Sequence, residues 1–395
     1  MISVNDAKNL IYVCSFLLES EKKVLKNIYA QVSYNDIFSP IDFPEFRQAA
    51  MDGYAICIEG SDISKGFEIK DVIEAGNTKK FNLSTNQAYR IFTGAKVPNG
   101  ADTVIQQELI DIQNNRIFFD IKTIKNGANI REKGSQTKKN ELIIKKHDEI
   151  NAGTMAFLSG LGINEIEIYR RPKIAIINTG KELVKTGGKL KEGQIYESNS
   201  YSLHNALAAL HITPQKTVIV NDDFEEIKKE ISSSLKENDI LLITGGVSVG
   251  DYDYVPQALA ANGVKEVFHK IKQKPGKPLY FGIKDKTLIF GLPGNPASVL
   301  TCFYQYVIPS IKKMMGFKEY ELRHLLLPCL NHYEKKKGLT HFLKAKLHQN
   351  GTVEILAHQE SYKMNTYSIA NALVEIDEDC TEICKGNLIK TYIFY

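Results

Sequence analysis

No run of apolar residues in this sequence approaches the ~18–20 that a membrane-spanning helix requires, so no span is expected. The N-terminus also lacks a basic stretch followed by an apolar one, the signature of a secretory leader. Cysteine is scarce. Cys14, Cys57, Cys302, Cys329, Cys380 and Cys384 are irregularly spaced in a chain too large to need a disulfide framework, and they are expected as reduced thiols. Only Cys380 and Cys384 sit close together, and one such pair is a weak metal signal. Charge of one sign is scarce as well: 50 basic against 46 acidic residues leave +4. So small an excess excludes the dense basic face of a nucleic-acid binder, yet permits a local cluster that holds a small anion. Neither a low-complexity tract nor a clear repeat is visible. These absences point to a cytoplasmic protein that partners neither membrane nor nucleic acid.

What is present is a folded chain of 395 residues, 43% hydrophobic and 24% charged, long enough for two to four domains. Residues 5–31 read as helices, because Val4, Ala7, Leu10, Ile11, Cys14 and Leu18 recur at spacings of three and four. Residues 33–150 read as mostly β, with short runs at Tyr54–Ile58, Phe67–Val72, Tyr89–Phe92, Thr103–Gln107 and Arg116–Ile121 broken by polar turns. From Pro172 strands and helices alternate. Ile174–Ile177, Thr217–Val220, Ile240–Ile243 and Thr287–Phe290 are strand-like, and a long helix is expected to run to about Met315. This pattern predicts a parallel sheet covered on both faces, with its ligand site beyond the carboxyl ends of the strands. After Lys318 the pattern is β again, at Leu325–Cys329, Phe342–Leu347, Val353–Leu356 and Ala372–Glu375, which reads as a small barrel or sandwich.

Five segments carry residues suited to chemistry. Gln48-Ala-Ala-Met-Asp52-Gly53-Tyr54-Ala55 puts Asp-Gly before a β-like run, which a turn alone would explain. Thr244-Gly245-Gly246-Val-Ser248-Val-Gly250-Asp251-Tyr252-Asp253 is a glycine-rich loop after a buried strand. It suits a close approach to phosphate oxygens or, equally, a tight βα turn, and it matches neither the Walker nor the dinucleotide pattern. Lys270, Lys274 and Lys277 lie around a Pro-Gly-Lys-Pro frame that can preorganise ammonium groups for an oxyanion; without that frame they would read as a solvated face. Gly291-Leu-Pro293-Gly294-Asn295-Pro296-Ala297-Ser298 joins a strand to a helix, with Asn295 placed to cap and Pro296 to begin the first turn. Its free N–H groups are expected to make an anion seat, although a purely structural cap explains the same residues. Last, Glu182, Asp222 and Asp253 fall near strand ends, where converging carboxylates suit Mg²⁺ and any single one suits a helix cap.

Together these segments closely resemble the MoeA family, the molybdopterin molybdenumtransferases, which includes the E domains of gephyrin and its plant counterpart. The resemblance rests on seven motifs in the family's order: residues 50–55, 93–98, 129–131, 179–183, 245–250, 274–278 and 291–296. It implies an α/β multidomain protein. A helical and extended part is expected at 1–45 with 130–170, a β-rich insertion at 46–129, a molybdopterin-binding parallel-sheet domain at 171–318, and a small C-terminal β-barrel at 319–395.

It also implies a homodimer that inserts molybdenum from molybdate into adenylyl-molybdopterin and releases AMP, with Mg²⁺ as cofactor. Adenylyl-molybdopterin and molybdate are the implied ligands, and the molybdopterin adenylyltransferase is an expected partner. Asp52, Thr93, Asp222, Asp253, Lys270 and Lys274 match its catalytic positions, and Glu182, Asp222 and Asp253 its cation positions. Thr179, Gly180, Thr244, Gly245, Gly246, Ser248, Gly250, Lys277, Pro293, Asn295, Pro296, Ser298 and Arg131 match substrate-binding positions.

The C-terminal region departs from the family pattern. A Gly-Arg-x-x-Phe-x-Arg stretch appears here as Gly338-Leu339-Thr-His341-Phe-Leu-Lys344, and a Gln-Gly-Ser-Gly stretch as Gln359-Glu360-Ser361-Tyr362, followed by Lys363, Met364 and Asn365. Losing a bidentate arginine is not conservative for oxyanion recognition, so His341, Lys344 or Lys363 is expected to substitute. Two other readings remain: a pterin-binding scaffold that has lost turnover, and a molybdate-independent nucleotide pyrophosphatase of the competence-damage type.

Overall fold

Val4, Ala7 and Ile11 share one face and are buried, which makes helix α1 (Val4–Cys14) amphipathic. Ser3 begins it, its hydroxyl accepting from the Asp6 N–H at 3.1 Å. The expected helix over 5–31 stops there. Ser20–Val24 is a strand paired with Glu165–Tyr169, because its Ser-Glu-Lys-Lys-Val sequence offers no apolar stripe for a helix to bury. The computed structural model describes residues 1–248 and 253–394. The chain divides into two units, Met1–Tyr34 with His147–Asn151 and Ile166–Tyr395, and Asn35–Lys146 with Ala152–Glu165. The expected α/β and C-terminal segments therefore share a unit with α1.

The second unit is built on a six-stranded sheet. Its strands are β1 (Gly53–Ile56), β2 (Phe67–Ile73), β3 (Gln87–Ile91), β4 (Thr103–Gln106), β5 (Asp111–Gln113) and β6 (Arg116–Phe118), in the order β4-β1-β3-β2-β6-β5. Five of these coincide with the expected runs; β5 is the addition. Helix α2 (Ala152–Gly160) belongs to this unit. Gly53 starts β1 because nothing larger fits: a Cβ there would lie 1.8 Å from the Ile105 carbonyl oxygen. Gly53→Ala is therefore expected to cost about 3 kcal/mol or more, read as a lowered denaturant midpoint, and an unchanged midpoint would contradict this packing.

In the first unit a second six-stranded sheet is formed by β7 (Ile174–Thr179), β8 (Lys216–Val220), β9 (Ile240–Thr244), β10 (Lys265–His269), β12 (Tyr280–Lys284) and β13 (Thr287–Leu292). Between β10 and β12 lies the short strand β11 (Gln273–Lys274). The order is β8-β7-β9-β13-β12-β10. Pairings β8/β7, β7/β9 and β9/β13 are parallel, as expected. The β13/β12 and β12/β10 pairings are antiparallel, so the sheet is mixed and its edge is a meander.

Both faces of this sheet are apolar. Ile174, Ile176, Ile240 and Leu242 pack on one side against α1, α3 (Asn199–Ala208), α6 (Pro296–Cys302) and α7 (Ile308–Met314). Ile177, Leu241 and Ile243 pack on the other against α4 (Phe224–Leu235) and α5 (Val255–Ala261). The long helix expected up to about Met315 is present as α6 and α7 joined by the π-turn Phe303–Val307.

The C-terminal region forms a sheet of β14 (His324–Pro328), β15 (Thr340–Leu347), β16 (Val353–Ile355), β17 (Ala372–Ile376) and β18 (Leu388–Ile393). Its order is β11-β15-β17-β18-β14, with β16 beside β15. Strand β11, which follows a strand of the α/β sheet in sequence, thus pairs in this one and places Lys274 opposite His341.

Candidate active site

The site lies where the sheet reverses its winding. Strands β8 and β9 flank β7 on opposite sides, so successive connections leave in opposite directions and open a crevice beyond Thr179 and Thr244. A cavity of about 610 Å³ occupies this crevice. Thr179, Gly180, Thr244, Gly245, Gly246 and Ser248 line its floor, with Pro293, Asn295 and Pro296 at the end of β13. Glycine is required in the β9 turn. Gly245 and Gly246 have φ of +83° and +60°, and a Cβ on Gly245 would lie 2.5 Å from the Thr179 carbonyl oxygen. Thr244 donates its hydroxyl to the Asn178 side chain at 2.7 Å, which locks the two strand ends together.

Glu182, Asp222 and Asp253 all face this first cavity. One Asp222 oxygen accepts the Lys181 N–H at 3.2 Å, tying the β8 end to the β7 turn. Among the described residues these three carboxylates do not close to direct ligand spacing on their own. The group whose ligand atoms all lie within 4.8 Å of one another is exposed His332, Glu382 and Cys384 in the C-terminal region. Two further wall residues were not legible in the sequence. Buried Glu197 spends its carboxylate on the Ser200 N–H at 2.7 Å and on the Ser200 hydroxyl. Asn199 donates to the Gly294 carbonyl at 2.9 Å, while its buried side-chain oxygen has no partner among the described residues, so a ligand N–H would satisfy it.

An adjoining cavity of about 740 Å³ carries the lysines. Lys274, Lys277 and Ser298 line it, and Ser248, Pro278, Pro293, Gly294, Asn295 and Tyr362 form walls common to both cavities. The lysine segment is held from beneath. Fully buried Gln273 donates to the Pro275 carbonyl at 2.9 Å and accepts from the Tyr306 hydroxyl. Lys274 and Lys277 stay exposed above that anchor, as the Pro-Gly frame leads one to expect. Lys270 lines neither cavity; its backbone N–H pairs with Leu279 at 2.9 Å. Gly250 lies outside the described residues.

Two N–H groups of the expected anion seat at 291–298 are already taken. The Ala297 N–H bonds the Ser361 carbonyl at 3.1 Å and the Ser298 N–H bonds Asn295 at 3.0 Å. Asn295 holds the cap position, but its amide reaches the Ser361 hydroxyl at 3.0 Å instead of capping α6. Lys344 is also committed elsewhere. It is buried and donates to the carbonyls of His358, Glu360 and Lys363 at 2.9, 3.2 and 3.1 Å.

Asp52, Thr93 and Arg131 lie in the second unit. One Asp52 oxygen accepts both the backbone N–H and the hydroxyl of Thr93, at 2.8 and 2.7 Å. These bonds hold its carboxyl below the usual carboxylate range. Exposed Arg131 sits on a two-residue strand paired with Gln48 and Ala49, and Ala49 in turn bonds Ala95 at 3.0 Å. Three separate motifs, at 48–53, 93–98 and 129–131, thereby meet in one place.

Fold and site together define a multidomain α/β protein with a two-chambered cleft, acidic in one chamber and lysine-bearing in the other. Three family descriptions match the chain in order: the MoeA N-terminal region (domain I and II) at 2–162, a probable molybdopterin binding domain at 175–313, and the MoeA C-terminal region (domain IV) at 327–394. The molybdopterin molybdenumtransferase of Nostoc sp. is 37% identical over 328 residues, covering 80% of this chain and 75% of that protein. That of Haemophilus influenzae is 29% identical over 395 residues, covering 98% of each. The crystal structure of the molybdopterin biosynthesis moeA protein from Pyrococcus horikoshii superposes with a TM-score of 0.84 at 27% identity over the full length of both chains. The chain belongs to the MoeA family.

Proposed function

We propose that this chain is a molybdopterin molybdenumtransferase, which transfers molybdenum from molybdate to adenylyl-molybdopterin and releases AMP. The observation that carries the reading is the pair of adjoining cavities with common walls, carboxylates in one and lysines in the other. The first suits a phosphate-bearing ligand at the strand ends, with Asn199 offering an acceptor. The second suits molybdate, a dianion, which ammonium groups attract.

Mg²⁺ fits the donor set. Glu182, Asp222 and Asp253 supply oxygen only, which suits an ion that keeps several waters and takes phosphate oxygens as ligands. When bound, it supplies Lewis-acid polarisation of phosphate oxygens. The protein's own task is to orient the anhydride along the strand ends and to hold the oxyanion beside it.

The test mixes purified protein with adenylyl-molybdopterin and Mg²⁺, with and without molybdate. AMP release coupled to active cofactor supports the transferase. Tight binding without AMP indicates a scaffold, and AMP release indifferent to molybdate indicates a pyrophosphatase. Tungstate, a similar dianion, is expected to compete. The reading includes a cytoplasmic homodimer served by the molybdopterin adenylyltransferase, and a monomer mass by sedimentation would remove the dimer. Asp52→Ala is expected to lower turnover on the order of 10²-fold while circular dichroism stays unchanged. Activity close to wild type would remove Asp52 from the residues the reaction needs.

A further inference from the structure

The lysine-bearing cavity contains a third group able to become cationic. His341 lines it, is only 8% exposed, and sits directly opposite Lys274 in the β11/β15 pairing. Its Nδ1 lies 3.2 Å from the Tyr333 hydroxyl. Lys344 cannot serve in its place, because three carbonyls occupy its ammonium.

We propose that His341 is the proton-gated third cation of the oxyanion seat, neutral when the seat is empty and protonated when a tetrahedral dianion enters beside Lys274 and Lys277. The proposal rests on the reading that this cavity takes molybdate.

The surroundings set the direction. In the empty protein, burial, and then the charges of Lys335 and Lys274, pull the imidazole down to about 4. Among the described residues, the charged and titratable groups facing the ring or its cavity are Lys274 and Lys277 on the β11 loop, Tyr333 and Lys335 before β15, and Glu360 and Tyr362 after β16. Glu360 is paired with Lys363 at 3.5 Å. Most of the field is positive, so an arriving dianion reverses the balance at His341. A single opposite charge within ~4–6 Å moves a pKa by about 1–3 units. The imidazole is thus carried into the pH range where it binds a proton. The proton comes from solvent and no bond within the anion changes. Binding and protonation are linked: affinity rises as pH falls, and a proton is taken up with each anion that charges the ring.

Isothermal titration calorimetry of the full-length protein with sodium molybdate, from pH 5.5 to 8.0 in buffers of different ionisation enthalpy, reads both quantities. Wild type is expected to gain up to about tenfold in affinity per pH unit below the bound-state pKa, the slope of one linked proton. Proton uptake should approach one per anion. His341→Gln is expected to bind with a flat pH profile and no uptake. His341→Asn serves as a second neutral variant, and a histidine NMR signal that shifts with molybdate and is absent in His341→Gln needs no stability comparison. Binding by wild type with no uptake, or an unchanged slope in folded His341→Gln, overturns the gating while leaving the seat standing. No molybdate binding by wild type at any pH overturns the seat and the gating together.

Discussion

Lys274→Ala is expected to lower turnover with molybdate on the order of 10²-fold, the scale for removing one electrostatic stabiliser from a closed site. Lys274 is exposed, and the bonds that hold its segment run through Gln273, Pro275 and the β11/β15 pairing rather than through its own side chain. The substitution therefore leaves the scaffold in place and removes one of the two ammonium groups lining the cavity. If the lysine acts mainly in binding, KM for molybdate rises and excess molybdate restores the rate. If it acts on the reacting oxygens, kcat falls and excess molybdate restores nothing. Lys274→Arg keeps the charge but replaces a point donor with a planar fork, so only partial rescue is expected. Kinetics in the assay described above decide the matter. An Ala variant within a factor of about two of wild type would show that the oxyanion does not sit beside this lysine.

The parts of the site legible in the sequence are those where one backbone requirement forces a residue type. Gly245 and Gly246 stand at a strand end because Thr179 crowds them, and Gly53 follows Asp52 because the Ile105 carbonyl leaves no room for a side chain. Unbroken apolar runs in Ile174–Thr179 and Ile240–Thr244 likewise declared strands buried on both faces. Strands β10 and β12 were missed because they sit on the antiparallel margin of the sheet, and β10 carries the mixed sequence Lys-Glu-Val-Phe-His. Asn199 and Glu197 gave no signal because their role depends on contacts with Gly294 and Ser200 made only in the fold. That the Ala297 and Ser298 N–H groups are taken was not legible for a related reason. Ser361, more than sixty residues further along the chain, covers Ala297 and Asn295, and a cap motif does not reveal what will fold over it. Lysine-rich segments looked alike in one dimension; in three, Lys274 and Lys277 face a cavity while Lys344 is walled in.

Lys344→Ala is expected to destabilise the protein by about 3 kcal/mol, with little direct effect on catalysis. The side chain is 3% exposed, so its charge is carried into the interior. Burial pulls its ammonium below the usual lysine value, a cost the fold accepts because three carbonyls receive its protons. Those carbonyls belong to His358, Glu360 and Lys363, in the connection that also carries Ser361 and Tyr362 to the cavity walls. Removing the donor leaves these part-buried carbonyls without their lysine partner, at about 1–3 kcal/mol for each one that water does not reach. Lys344→Met keeps most of the aliphatic stem, so comparing it with Lys344→Ala separates lost packing from lost hydrogen bonds. Urea unfolding should show a lower midpoint for both, with the slope unchanged. Arginine at this position would add bulk in a closed space, so Lys344→Arg is expected to destabilise as well. The opposite pattern, normal stability with molybdate binding lost in Lys344→Met, would make Lys344 a direct oxyanion ligand. It would then be wrong to treat the Lys344 ammonium as an internal strut that leaves the seat to Lys274, Lys277 and His341.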